Sequence, residues 1–170
     1  MKKLILTILL FTVIALVHPA FAAADRDAEI DQMLTVTETL FQSMKAGKYA
    51  TTWRCITEKS KQYIIDDVRS ECAKVKVECP EPQVRSDFES AGSMARAYWD
   101  SFLRQFDPSL VLSHSTWGIG KVEKDNAEIT IQYEKSKKPA RLKLFKEKGK
   151  WKVGLEETFR SRRYLPSIVK

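Results

Sequence analysis

Residues 121–157 read KVEKDNAEITIQYEKSKKPARLKLFKEKGKWKVGLEE, and the architecture follows from them. Ala127, Ile129, Ile131 and Tyr133 alternate with Glu128, Thr130, Gln132 and Glu134, the period of two that marks a half-buried strand. After the polar break Lys135-Ser136-Lys137-Lys138-Pro139 the alternation resumes as Ala140, Leu142 and Leu144 against Arg141, Lys143 and Phe145. A third run is Trp151, Val153, Leu155. Between the last two lies Lys148-Gly149, where glycine supplies the positive φ of a two-residue hairpin turn. With Glu147 opposite Lys150, the register predicts Leu144 beside Val153 and Leu142 beside Leu155 on one face, with Arg141 opposite Glu156 on the other. A slip of one residue would carry both leucines to the polar side, so this register is strongly specified. Asp125-Asn126 predicts a second turn with Val122 opposite Ile129. That pairing sets Glu123 against Glu128, a like-charge pair that disfavours it.

At the amino end, Lys2 and Lys3 precede the apolar run Leu4 to Val17, and Ala20-Phe21-Ala22 offers small residues where a signal peptidase reads. The run is shorter than the roughly 20 apolar residues of a membrane span. The reading is a secretory signal peptide over 1–22, then a single domain over 23–170 exported to an oxidising compartment, the periplasm. The first cysteine is Cys55, so no lipid-attachment cysteine follows the cleavage site. Removing residues 1–22 leaves 148, which is 170 minus 22; it takes away two lysines and no acid, so the formal charge falls from +7 to +5. A chain of that length buries one sizeable core.

The first half is helical. Ile30, Met33, Leu34, Thr37, Leu40, Phe41 and Met44 recur at three- and four-residue steps, predicting a helix from about Asp25 to Ala46 that Gly47 ends. Tyr49, Trp53 and Ile56 share a face of a short second helix. A third, from about Ser60, presents Ile64, Val68, Cys72 and Val75 before Cys79-Pro80-Glu81-Pro82 stops it, the alternative for Val75 and Val77 being a short strand. Ser86-Asp87-Phe88-Glu89 has the form of a capping box, heading a long helix to Asp107-Pro108. Its buried face comprises Phe88, Ala91, Met94, Ala95, Tyr98, Phe102 and Phe106, with Gln105 on the same side. Strands then begin near Leu110. Helices followed by an antiparallel sheet define an α+β fold.

The helical first half, the aromatic-rich helix, the meander and the ending Gly149-Lys150-Trp151-Lys152-Val153-Gly154-Leu155 resemble the nuclear transport factor two-like superfamily. Ala46-Gly47-Lys48-Tyr49 through Trp53 is similar to the helical opening of its secreted bacterial members of unknown function. The resemblance implies a cone-like curved sheet wrapped on helices, a pocket between them, and homodimerisation through the sheet. It implies no reaction.

A pocket of this kind holds an apolar ligand between aromatic walls and a few polar anchors. The candidates are Trp53, Tyr98, Gln105, His114 and Tyr133. His114 is the histidine left once His18 departs with the signal, and it is the weak candidate for a base in an isomerase or dehydratase reading. No partner acid accompanies it: Asp100 falls about 160 degrees from Tyr98 on the helical wheel. These residues point to a non-catalytic binding or interaction module without cofactor. A zinc site needs three or four ligands, which one histidine and three scattered cysteines do not supply. Those cysteines suit an oxidising compartment and leave three single bridges open, Cys72 with Cys79 being the nearest pair; no bridge at all is the rival. Finally, Arg141, Lys143, Lys150 and Lys152 form a basic face that an anionic envelope component would attract, against the plain alternative of a solvated strand face. Export argues against a nucleic-acid partner.

Overall fold

The structure is a computed structural model in which residues 18–159 are described. Most of the expected signal peptide therefore lies outside the described residues. The chain divides into two compact units, residues 1–32 and 33–170. Of the first, the described part is the opening of helix α1 (His18–Lys45). The second contains the rest of α1 and then α2 (Tyr49–Cys55), α3 (Glu58–Lys74), α4 (Glu81–Ser90), α5 (Ser93–Leu103) and α6 (Pro108–Ser113). Strands β1 (Ser115–Val122), β2 (Asn126–Tyr133), β3 (Ala140–Glu147) and β4 (Lys150–Gly154) follow, and α7 (Leu155–Phe159) closes the described chain. The strands form one antiparallel sheet in sequence order. The fold is α+β.

The period-two alternation sets the register at the centre of the sheet. Leu144 pairs with Val153, Glu147 with Lys150 and Ile129 with Leu142. The four apolar members of this set are buried, sharing a core with Met33, Leu40, Met44, Trp53, Ile56, Ile65, Phe88 and Trp99 from the helices. Burial of each such side chain contributes about 1.5–3 kcal/mol. The turn uses positive φ at both central residues, Lys148 at 50° and Gly149 at 75°, which matches the strand twist in a two-residue hairpin.

Five expectations are corrected. First, β4 ends at Gly154, so Leu155 and Glu156 are helical and Leu142 and Arg141 have no strand partners there. Arg141 instead lies 4.0 Å from Glu128, and the Lys143 amide donates to Thr158 Oγ1 of α7 at 3.0 Å. Second, Val122 pairs with Ala127 and Ile119 with Ile129, across an irregularity between Ile119 and Val122. This bulge removes the Glu123/Glu128 conflict, and Glu123 pairs with Lys121.

Third, the long helix over 86–107 is two helices. Ala91 is left-handed at φ 55°, and Asp87 reaches over Gly92 to accept the Ala95 amide at 2.8 Å, capping α5 from within α4. Ser86 thus lies inside α4 instead of heading a helix. Fourth, residues 108–113 are helical and the first strand starts at Ser115, because Asp107 accepts the Ser109 amide as a cap and Pro108 takes the first helical position. Fifth, Val75 is 70% exposed, lying past the end of α3 where Lys76 turns left-handed and Val77 N–H returns to Cys72 O.

Candidate functional site

The interior between helices and sheet is built from aromatic rings. Trp53 lies 4.7 Å from Phe88, Phe88 5.7 Å from Tyr98, Tyr98 5.3 Å from Trp99, and Trp99 5.7 Å from Phe102. The series continues through Phe106 at 5.5 Å, Phe41 at 5.9 Å and Trp117 at 6.0 Å. These separations are those of favourable edge and offset ring contacts, worth about 0.5–1.5 kcal/mol per pair beyond burial.

Of the five expected pocket residues, Trp53 is 2% exposed and joins Tyr98, through Phe88, in this array. Burial, with the negative charge of Asp67, pushes the half-buried Tyr98 phenol well above its ordinary range. Tyr133 is half-buried on the core-facing side of β2, opposite Ser115. Gln105 is exposed beyond the end of α5, since the break at Ala91-Gly92 resets the helical phase and the helix stops at Leu103. His114 caps α6 with its side chain 51% exposed, 3.3 Å from the equally exposed Glu134 carboxylate. Gln105 and His114 therefore do not join Trp53 and Tyr98 in the interior.

Two polar arrangements were not legible in the periodicity. The Tyr49 hydroxyl donates to Asp100 Oδ1 at 2.5 Å, tying α2 to α5. Burial, the hydrogen bond to Asp100 and its negative charge push the Tyr49 phenol up to about 12. Asp100 thus faces outward from Tyr98, as the wheel implies, yet has a tyrosine partner 51 residues away. At the head of α3, Thr57 accepts the Ser60 amide as N-cap, and both hydroxyls converge on the Glu157 carboxylate at 2.9–3.2 Å. Glu147 accepts the Glu58 amide at 3.1 Å. Two carboxylates at the positive end of a 17-residue helix are a favourable dipole arrangement, and they explain why the chain turns into α7 after Gly154. The spacing Thr57-Glu58-Lys59-Ser60 carried the helix-start signal; Glu157 carried none.

The basic residues lie on the side of the sheet away from the core. Register places Arg141 beside Thr130, Lys143 beside Glu128, Lys152 beside Phe145 and Lys150 beside Glu147. Arg141, Lys143 and Lys150 are exposed. Lys152 is half-buried and donates to the Arg54 carbonyl; loss of solvent, with repulsion from Lys61, pulls its amine below the ordinary lysine range. Glu147, which would neutralise Lys150, is drawn toward the α3 amide instead.

Cys72 and Cys79 form a disulfide with Cα atoms 6.2 Å apart, fastening the end of α3 to the turn before α4. Cys55 is free and buried, and burial pushes its thiol up despite the nearby charges of Lys152 and Arg54. Among the described residues no group of three or more His, Cys, Asp or Glu side chains is placed to hold a metal ion, and no helix is long and apolar enough to cross a membrane. No protein-family model, curated protein or solved structure matches the chain.

Proposed function

We propose that this protein is an exported, non-catalytic interaction module that binds anionic surfaces through the outer face of its β3–β4 hairpin. The carrying observation is that Arg141, Lys143 and Lys150 stand exposed on one face, where the neighbouring carboxylates are Glu128, 4.0 Å from Arg141 and beside Lys143, and Glu147, which is beside Lys150 but engaged by the Glu58 amide. Lys135, Lys137 and Lys138, exposed in the loop before β3, extend the same charge. Such a surface attracts phosphate-bearing envelope components within a Debye length. The disulfide supports the export reading, because such bridges persist in oxidising compartments. The helices-then-meander order supports the nuclear transport factor two-like cone as the fold family.

A small apolar ligand between sheet and helices has weaker support. Trp53, Phe88 and Trp99 occupy the space where such a guest would sit, and the polar anchors Gln105 and His114 are on the surface. The same placement leaves His114, the expected base of an isomerase or dehydratase mechanism, outside the interior.

Vesicle sedimentation with phosphatidylcholine alone and with added phosphatidylglycerol tests the proposal. Binding is expected to the anionic vesicles and to weaken with salt. With about 1 kcal/mol per basic residue near the surface, Arg141→Ala/Lys143→Ala/Lys150→Ala should lose affinity about 100-fold. Binding indifferent to both salt and the triple substitution would refute it.

A further inference from the structure

Among the described residues, the large apolar or aromatic side chains that stay exposed are Tyr63 at 50%, Val75 at 70% and Val77 at 55%. All three belong to α3 or to the loop that follows it. That loop is fixed. The Val77 amide donates to Cys72 O at 2.9 Å and the Cys72–Cys79 bridge closes over it, so both valines are held outward at the end of the helix. Exposed apolar side chains gathered on one element mark an interaction site.

A stripe of α3 joins them. At about 100 degrees per residue, Ser60, Tyr63, Asp67 and Glu71 fall within about 80 degrees of one another, and the stripe runs on toward Val75. Asp67 and Glu71 are exposed. Glu71 pairs with Lys74, and Asp66 lies 3.9 Å from Arg69, whereas no ion pair among the described residues engages Asp67. The stripe begins where the described chain leaves the fold. The Glu156 amide donates to Ser60 Oγ at 3.1 Å and the Ser60 hydroxyl donates to Glu157 at 2.9 Å, so α7 sits on the head of α3 and Phe159 follows within one turn. Beyond it, residues 160–170 read RSRRYLPSIVK, four cations and no acid.

We propose that residues 160–170 strap back along this stripe of α3, their arginines on its acids and their apolar residues on Val75 and Val77. The order of chemistry along the two segments matches. An extended chain advances about 3.3 Å per residue against about 1.5 Å in a helix. Measured from Ser60, Arg160 comes level with Tyr63, Arg162 and Arg163 with Asp67, and Tyr164 and Leu165 with the end of the helix near Val75. A guanidinium stacks on a phenol ring and forks onto a carboxylate, which suits both of the first two positions. Pro166 disfavours helix at Leu165 and so keeps the strap extended. An anionic membrane is the poorer occupant, because Asp66, Asp67 and Glu71 would repel it. None of the basic hairpin residues takes part, so the strap and the anionic-surface reading stand or fall separately.

The test is hydroxyl-radical labelling of the full chain, read by peptide mass spectrometry with Tyr133 as internal reference, at about 5 μM, where small interfaces between copies stay dissociated. Tyr63 should react at least about 3-fold faster in Arg162→Glu/Arg163→Glu, and in Asp67→Lys, than in the unaltered chain, the population shift that lost and reversed surface ion pairs give. Combining the three substitutions restores opposite charges and should return Tyr63 to its original rate. Salt reads the same contact without any substitution: about 1 M should speed Tyr63 labelling in the unaltered chain. A Tyr63 rate indifferent to salt overturns the proposal, as does a combined variant that folds and stays as reactive as its parents. So does protection that appears only as protein concentration rises, which makes the cover a second copy, or only when anionic vesicles are added.

Discussion

Gly92 is the position at which the break between α4 and α5 can be tested. Its backbone, φ −70° and ψ −166°, is open to any residue, so substitution there carries no conformational penalty. What opposes a side chain is Asp87: a Cβ at residue 92 would lie 2.1 Å from Asp87 Oδ2 and 2.5 Å from Cγ. The carboxylate can swing aside, and doing so surrenders its 2.8 Å bond to the Ala95 amide. Losing a cap of this type costs about 0.5–2 kcal/mol, while Gly→Ala returns about 0.4–1 kcal/mol by restricting the unfolded chain. Gly92→Ala alone is thus expected to destabilise by about 0.5 kcal/mol, and Asp87→Ala alone, which has no offsetting gain, by about 1 kcal/mol. In the double variant there is no carboxylate to displace. Alanine at 92 should then stabilise the Asp87→Ala protein by about 0.4–1 kcal/mol, a reversal of sign. Urea titrations of the four proteins, followed by tryptophan fluorescence, give the cycle; the unfolded-state gain cancels, so the expected coupling is the worth of the cap, about 1 kcal/mol. Additive effects, with alanine at 92 acting alike in the parent and in Asp87→Ala, would refute the capping account.

Two further outcomes follow from the covalent and titratable ties. Reducing Cys72–Cys79, which closes a loop of sequence separation 7, should lower stability by about 2.5 kcal/mol on the chain-entropy estimate; a change below about 0.5 kcal/mol in urea with and without reductant would show that the α3 terminus holds unaided. The Tyr49 phenol sits at about 12 in the folded protein against an ordinary 10, so the folded state holds this proton more tightly. Its contribution is complete below pH 10 and is lost as pH rises through 10 toward 12. Tyr49→Phe should flatten that decline while costing about 1 kcal/mol at neutral pH; an unchanged alkaline slope would exclude Tyr49 as its source.

The sequence alone determined what local periodicity and turn chemistry control. Alternation in 127–133 and 140–145, with Lys148-Gly149 between strands, set the β3–β4 register through Leu144 and Val153 because a one-residue slip would expose the leucines. The Cys72/Cys79 proximity was legible for the same reason, the two being seven residues apart. Tertiary structure decided what depends on partners distant in sequence. Glu157 folds onto Thr57 and Ser60, nearly a hundred residues earlier, and so converts the expected continuation of β4 into helix. Asp87 breaks an aromatic periodicity that on its own reads as one long helix, and with that break Gln105 leaves the interior. The Glu157 contact has no local signature, because a carboxylate's choice of amide or hydroxyl is settled only when packing brings the two together; the Asp87 cap, whose partner Ala95 lies eight residues on, is local and was masked by the continuous aromatic period.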